Sequence, residues 1–247
     1  VIGGALQGAF GWRSVFLFLT IYGALQFAVC WRTLPETLPR ERRHPFHPAP
    51  LVRTYLRLAS SPRLRLLSLA VALNFCGFFL YVSSAPAVIY RLLGLTEHHF
   101  PVLFVPGIAG VMLGAFLSNR LAGRVSRTRT VGIAYVVMFS AVAFNVGYHA
   151  FFPAALPWTV LPYAAYAVGM ALAAPTVQLL VLDLFPENSG TASSMQGFTH
   201  ALFTAFITAL VAPLLSGSGL TLALGACCCN AWAQVDVQLR RRYDLIP

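Results

Sequence analysis

LPETLPRERRHPFHPAPLVRTYLRLASSPRLR, running from Leu34 to Arg65, is a polar, proline-rich island in a chain that is otherwise almost continuously apolar. Eight of the 17 basic residues lie in it or at its edge, from Arg32 through Arg40, Arg42, Arg43, Arg53, Arg57 and Arg63 to Arg65. Taken alone, such a block suggests a nucleic-acid or acidic-lipid patch. Its flanks decide otherwise. Long apolar segments begin on both sides, and arginines bordering membrane spans mark the cytoplasmic face. The island is therefore expected to be a cytoplasmic connector over residues 34–63.

Composition supports a bilayer setting. The chain is 58% hydrophobic and 10% charged, with a mean hydropathy of +0.72, far from the ~25% charged residues of soluble proteins. There is no lysine, so the net charge of +10 is arginine set against seven acids. A soluble nucleic-acid binder spreads its charge over one solvated surface. Here the charge sits in gaps between apolar runs, which points to lipid as the partner and excludes nucleic acid. The five cysteines, Cys30, Cys76, Cys227, Cys228 and Cys229, lie inside apolar segments without metal-ligand spacing and read as small buried hydrophobes. Neither an initiator methionine nor a signal-peptide pattern precedes the first apolar run, so Val1 is expected to lie inside a longer chain.

Residues 1–10 are apolar but rise only ~15 Å, about half the hydrocarbon thickness, and are expected to be the end of a helix. Complete spans are expected over 15–31, 64–90, 100–121, 131–151, 158–184, 190–215 and 220–237, the second of them kinked or ended by Ser83, Ser84 and Pro86. With the island inside, alternation places 15 arginines in cytoplasmic gaps and two, Arg13 and Arg91, outside. A soluble helical bundle does not explain that asymmetry. The expected segments are thus a remnant of one half (1–33), the basic linker (34–63), a six-helix bundle (64–239) and a cytoplasmic tail (240–247). Six spans after a long connector suggest a matching unit before it, with a substrate site at the midplane between the halves, as transporters are commonly built.

Particular strings carry a resemblance. Gly3-Gly4-Ala5-Leu6, then Gly11-Trp12-Arg13 with Phe16, then Leu34-Pro35-Glu36-Thr37-Leu38 resemble the fifth and sixth helices of the major facilitator superfamily in its drug:proton antiporter group. The run from Phe79 to Pro86, and Leu184-Phe185-Pro186 with Gly190-Thr191-Ala192-Ser193-Ser194, resemble the bicyclomycin-resistance branch. The resemblance covers essentially the whole chain. It implies an all-α integral membrane protein, the C-terminal six-helix half of a twelve-helix fold plus the end of helix 5 and helix 6. It also implies a multi-pass exporter in a bacterial inner membrane that expels drugs or metabolites in exchange for protons. One departure concerns the loop signature echoed at Gly114, Ser118-Asn119-Arg120 and Gly123-Arg124, where Asn119 stands near the place of an expected acid. That argues against a charge-relay gate in this half.

Several faces are candidates for function. Gly190, Ser194 and Gly197, continued by Ala201, Thr204 and Thr208, form a small-residue stripe at helical spacing; Gly107, Gly110 and Gly114 form a second, and Gly4 with Gly8 a third. By analogy with the family, these would meet across the two halves and slide; static packing is the other reading. Ser193, Gln196, His200 and Phe203 make a polar stripe beside the first. His200 is the only ionisable side chain near the middle of a span, and such groups are costly in lipid. It is either functional or a neutral ring hydrogen-bonded to Gln196. Asn74, Phe78 and Tyr81 on one span, and Tyr163, Tyr166 and Met170 on another, suit a cavity for a small amphipathic substrate; ordinary packing competes for each.

No Asp or Glu falls mid-span, so a proton-driven cycle needs a carboxylate upstream or His200 itself. Neither an HExxH, a GxSxG nor a P-loop is present, and no enzyme activity or cofactor is expected beyond a proton as coupling ion. His44 with His47, and His98 with His99, lack acid or cysteine partners and read as polar loop residues, not metal ligands. The expected function is secondary active efflux by alternating access. A polytopic scaffold or sensor, and a small-metabolite importer, are the alternatives.

Overall fold

A computed structural model of the chain describes residues 2–35 and 48–242. The middle of the arginine island lies outside the described residues, with Arg40, Arg42, Arg43, His44, His47 and the end of the LPETL string; so do residues 243–247. The described residues are helical throughout, joined by short turns. In order they form α1 (Ile2–Phe10), α2 (Trp12–Thr33), α3 (Pro48–Ser60), α4 (Pro62–Ser83), α5 (Phe100–Leu121), α6 (Arg127–Phe151), α7 (Leu161–Leu184), α8 (Ser189–Phe206), α9 (Ala212–Leu215) and α10 (Gly219–Arg242). Among the described residues, six helical segments are long and apolar enough to cross a membrane: α2, α4, α5, α6, α7 and the continuous run Ser189–Leu215. The last expected span is also helical, and its described apolar part is the shorter stretch Gly219–Ala231.

Three helix starts differ from the expected ones by about a turn, the first being α2, which begins at Trp12 directly after Gly11 and not at residue 15. α6 begins a turn early, at Arg127, because Ser126 takes an extended conformation that ends the preceding loop; arginine stems can lie along apolar surface while their heads stay in water. α7 begins later than Trp158, at Leu161, after a proline turn in which Thr159 Oγ1 donates to the Ala155 carbonyl at 3.1 Å.

The described residues fall into two units, divided between Pro48 and Ala49. In the first, α1 and α2 are joined through Gly11, whose φ of 79° lies in the left-handed region that favours glycine. Ser14 Oγ closes this corner by donating to the Gly11 carbonyl at 2.6 Å and the Leu6 carbonyl at 3.0 Å. Trp12 and Trp31 mark the two ends of α2, a separation of about 28 Å, which suits the aromatic belts of a bilayer.

The second unit carries an internal symmetry. α4 packs on α8 and α10, and α7 packs on α5 and α6; α4 also meets α7, and α6 meets α10. Exchanging the triple α4, α5, α6 with the triple α7, α8, α10 maps these main pairings onto themselves, as nested three-helix repeats require. α4 and α7 are thus the central helices. Leu64, Leu80, Met138, Leu172 and Leu222 are all but fully buried between them and their neighbours.

Two spans are broken near the same end. α4 stops at Ser83, and after Ser84 and Pro86 the chain continues as a π-helical segment, Ala87–Leu92, with the Leu93 N–H donating five residues back to Val88 at 3.0 Å. α8 widens into a second π segment, Ile207–Val211, where the Ala212 N–H donates to the Ile207 carbonyl. Pro213 follows at once. A proline lacks the N–H and clashes with the carbonyl four residues earlier, and a widened turn relieves both problems.

Candidate functional site

The α4–α7 contact gathers most of the residues expected to face a substrate. The Phe78 and Tyr163 rings stack at 5.2 Å, and Tyr81 lies 5.3 Å from Tyr163. Tyr166 passes under Gly77, where a Cβ would collide with its hydroxyl, and donates to the Asn74 carbonyl at 3.0 Å. Asn145 Nδ2 donates to the Tyr81 hydroxyl from α6. Asn74, Tyr81, Tyr163, Tyr166 and Met170 are all buried within the six-helix unit itself, and Phe78 is the member of this cluster that stays partly exposed. Two of the three tyrosine hydroxyls are therefore already engaged by protein.

A different set lies on the other side of α4. Gln196, His200 and Thr204 follow one another at one-turn intervals on α8, and the His200 ring packs 4.5 Å from Phe75 and 6.1 Å from Phe79. Both polar atoms of Gln196, Nε2 of His200 and Oγ1 of Thr204 are buried and have no hydrogen-bond partner. The expected alternative for His200, a hydrogen bond to Gln196, is thus not made. Ser193 receives a hydrogen bond from Gln178 Nε2 of α7 at 3.3 Å, and Ser194 Oγ lies 2.8 Å from the Tyr55 hydroxyl of α3.

Beyond Thr204 the two π segments face one another across a cavity of about 480 Å³. Ser83, Ser84, Tyr90 and Arg91 line it from one side, and Thr208, Ala212 and Ser216 from the other.

The small-residue stripes separate into two kinds. On α5, Gly107, Gly110 and Gly114 are buried against α7: a Cβ at Gly107 would sit 2.5 Å from the Tyr163 ring, and Cβ atoms at Gly110 and Gly114 would fall on the Ala164 and Val168 carbonyl oxygens. This stripe, expected to meet the other half, is filled from within the six-helix unit. On α8, Gly190 and Gly197 are exposed with nothing near their Cβ positions, and Ser194 between them is exposed as well. Gly8 is likewise open.

The sequence matches the Major Facilitator Superfamily over residues 1–209. The chain belongs to that superfamily. Among curated relatives, it is 24% identical over 237 residues to the bicyclomycin resistance protein homolog of Haemophilus influenzae, covering 92% of this chain and 57% of that protein. It is 24% identical to the multidrug transporter MdfA of Yersinia pestis, covering 79% of the chain and 47% of that protein. A third relative is the uncharacterized MFS-type transporter YdgK of Bacillus subtilis, 25% identical over 81% of the chain and 50% of that protein. The chain spans about half the length of the curated relatives it matches. It is a multi-pass integral membrane protein of a transporter family.

For a chain of this superfamily, three features were not singled out from sequence. Asn145 and Asn230 are amides inside apolar helices, 3% and 0% exposed, and polar groups at such positions are a readable signal in themselves. The ion pair of Arg127 with Asp183 ties the start of α6 to the end of α7, so this end of the helices does carry a charge contact despite Asn119. The third, the cavity between the π segments, arises where Pro86 and Pro213 fall at the same level of neighbouring helices.

Proposed function

We propose that this chain is part of a secondary active exporter of small amphipathic compounds, working by alternating access with protons as coupling ion in a bacterial inner membrane. The observation that carries the reading is the unpartnered polar stripe of α8 laid against the phenylalanines of α4, in a chain whose relatives are named for bicyclomycin resistance and multidrug transport. Apolar rings with a few unsatisfied polar atoms offer adaptable contact surface to varied amphipathic molecules. Phe78 and His200, both partly exposed, are the candidates to touch substrate; the buried Asn74, Tyr81, Tyr163, Tyr166, Met170 and Gln196 set the shape behind them. A second six-helix half closes the cavity, and a carboxylate there is the main proton carrier.

The test is proton flux in vesicles holding the full-length protein, on addition of candidate drugs. Drug-evoked flux, with cells accumulating less labelled substrate, is the expected result; more accumulation means import, and no flux for any compound leaves a scaffold. His200→Gln, which keeps hydrogen bonding but cannot carry a proton, is expected to lower transport or shift its pH optimum. Unchanged activity across pH removes His200 from the mechanism.

The open face of α8 gives a second prediction. Gly190, Ser194 and Gly197 form the stripe that meets the other half. A Cβ at Gly197 meets no atom within 4 Å and the position is exposed, so Gly197→Leu is expected to fold and reach the membrane at normal yield while transport drops by about tenfold or more, as close backbone approach is lost. Normal transport by Gly197→Leu would place this face against lipid instead.

A further inference from the structure

We propose that Gln196, His200, Thr204 and Thr208 of α8 line a water-filled column that opens outward through the cavity between the two π segments, giving the His200 ring a route for protons from the outer side. In a membrane interior a buried polar atom without a partner is costly, and water is the ligand that satisfies a mixed row of amide, imidazole and hydroxyl groups. The row is consecutive: Gln196, His200 and Thr204 carry unpartnered atoms at one-turn spacing, and Thr208, one turn further, lines the cavity. From Gln196 to Thr208 the rise is about 18 Å.

α4 forms the facing wall. Phe75 and Phe79 pack against His200 with tilted rings, and Ser83, one turn beyond Phe79, lines the cavity with Ser84, whose buried Oγ has no partner either. The arginine asymmetry puts the cavity end outside, where Arg91 lies at its edge.

Other ionisable groups on the elements packed around α8 are directed elsewhere. On α4, Arg63 and Arg65 are exposed in the first turn, Tyr81 is hydrogen-bonded to Asn145 and Cys76 is fully buried. On α7, Tyr163 and Tyr166 pack against other residues of α4, and Asp183 is paired with Arg127. Tyr55 of α3 meets Ser194, nearer the inner end of α8. His200 is therefore the group that a proton entering along this column meets first. Hydration of the column stands independently, whereas its role as a proton route rests on the exporter reading above.

The test is labelling of single cysteines in the full-length protein, with native cysteines replaced, by a membrane-impermeant trimethylammonium methanethiosulfonate applied outside cells. Thr208→Cys is expected to react fastest and Thr204→Cys within about tenfold of it, since thiol reactivity follows access and ionisation; Ser216→Trp, placed in the cavity, slows both. A Thr204→Cys that stays inert while Thr208→Cys reacts, or that reacts from the inner side alone, overturns the column. If the labelling holds but no drug evokes proton flux, the exporter reading falls and the hydrated column stands. Where flux is present, Thr204→Val is expected to shift its pH dependence and Thr204→Ser to preserve it. A Thr204→Val profile identical to the parent's overturns the proton route to His200.

Discussion

Gly114→Leu is expected to abolish recovery of folded full-length protein, and Gly114→Ala to destabilise it by about 1–3 kcal/mol. Even a single methyl group at Gly114 falls on the Val168 carbonyl oxygen and lies 2.8 Å from the Ala171 Cβ, and one at Gly110 falls on the Ala164 carbonyl oxygen and lies 3.1 Å from the Ala167 Cβ. These partners are backbone atoms and Cβ atoms, which cannot rotate aside as the end of a long side chain can. α5 would have to move off α7 along its length, losing the close contact that holds helices together where lipid gives no hydrophobic drive. The measurement is a melting curve of the detergent-solubilised protein, with monodispersity read by size exclusion. Gly132→Ala is the control: its Cβ meets nothing within 4 Å, and the gain in helix propensity makes it neutral to stabilising by up to about 1 kcal/mol. Equal melting of Gly114→Ala and Gly132→Ala would remove the tight α5–α7 contact.

The contrast between Gly114 and Gly197 also shows what sequence could convey here. Both stripes read alike as small residues at helical spacing, yet one is closed by α7 and the other is open. Periodicity finds a face and does not say what meets it. In lipid this ambiguity is sharper than in water, because apolar residues serve equally on surfaces toward protein and toward the bilayer. For the same reason Tyr81, Tyr163 and Tyr166 could be grouped from sequence, but their burial against α4 and α6 could not be distinguished from a cavity wall.

Helix positions were far more legible. Phe100–Leu121 has the expected bounds, and the break at Phe185 is a short turn, Pro186–Asn188, as proline and asparagine dictate. Charge and proline act over a few residues, so they can be read locally. Asn145 and Asn230 are local signals too, since an amide within an apolar run stands out whatever its partner. The π segments lie beyond such reading: Pro86 and Pro213 predict a break, while the cavity depends on the two breaks lying side by side in space.

Removing the amide of Asn145 is expected to cost about 1–3 kcal/mol, and the pair it forms with Tyr81 to show a coupling of about 1–2 kcal/mol in a double-mutant cycle. Tyr81 is 5% exposed and Asn145 3% exposed, so neither can turn to water when its partner is lost. Asn145→Leu leaves the Tyr81 hydroxyl orphaned; Tyr81→Phe leaves Nδ2 of Asn145 orphaned beside an Oδ1 that already lacks a partner. The double variant Tyr81→Phe with Asn145→Leu removes both polar groups from the interior and should be more stable than Asn145→Leu alone, because two well-packed apolar groups carry no desolvation penalty. Additive melting-temperature changes would mean that the contact contributes nothing. A rescued double variant that still transports would make the bond a support for the Tyr81 ring, which stands 5.3 Å from Tyr163, with no part in contacting substrate. A rescued double variant that folds but loses drug-evoked flux would instead make the hydroxyl itself the functional group, held ready by an amide from the neighbouring helix.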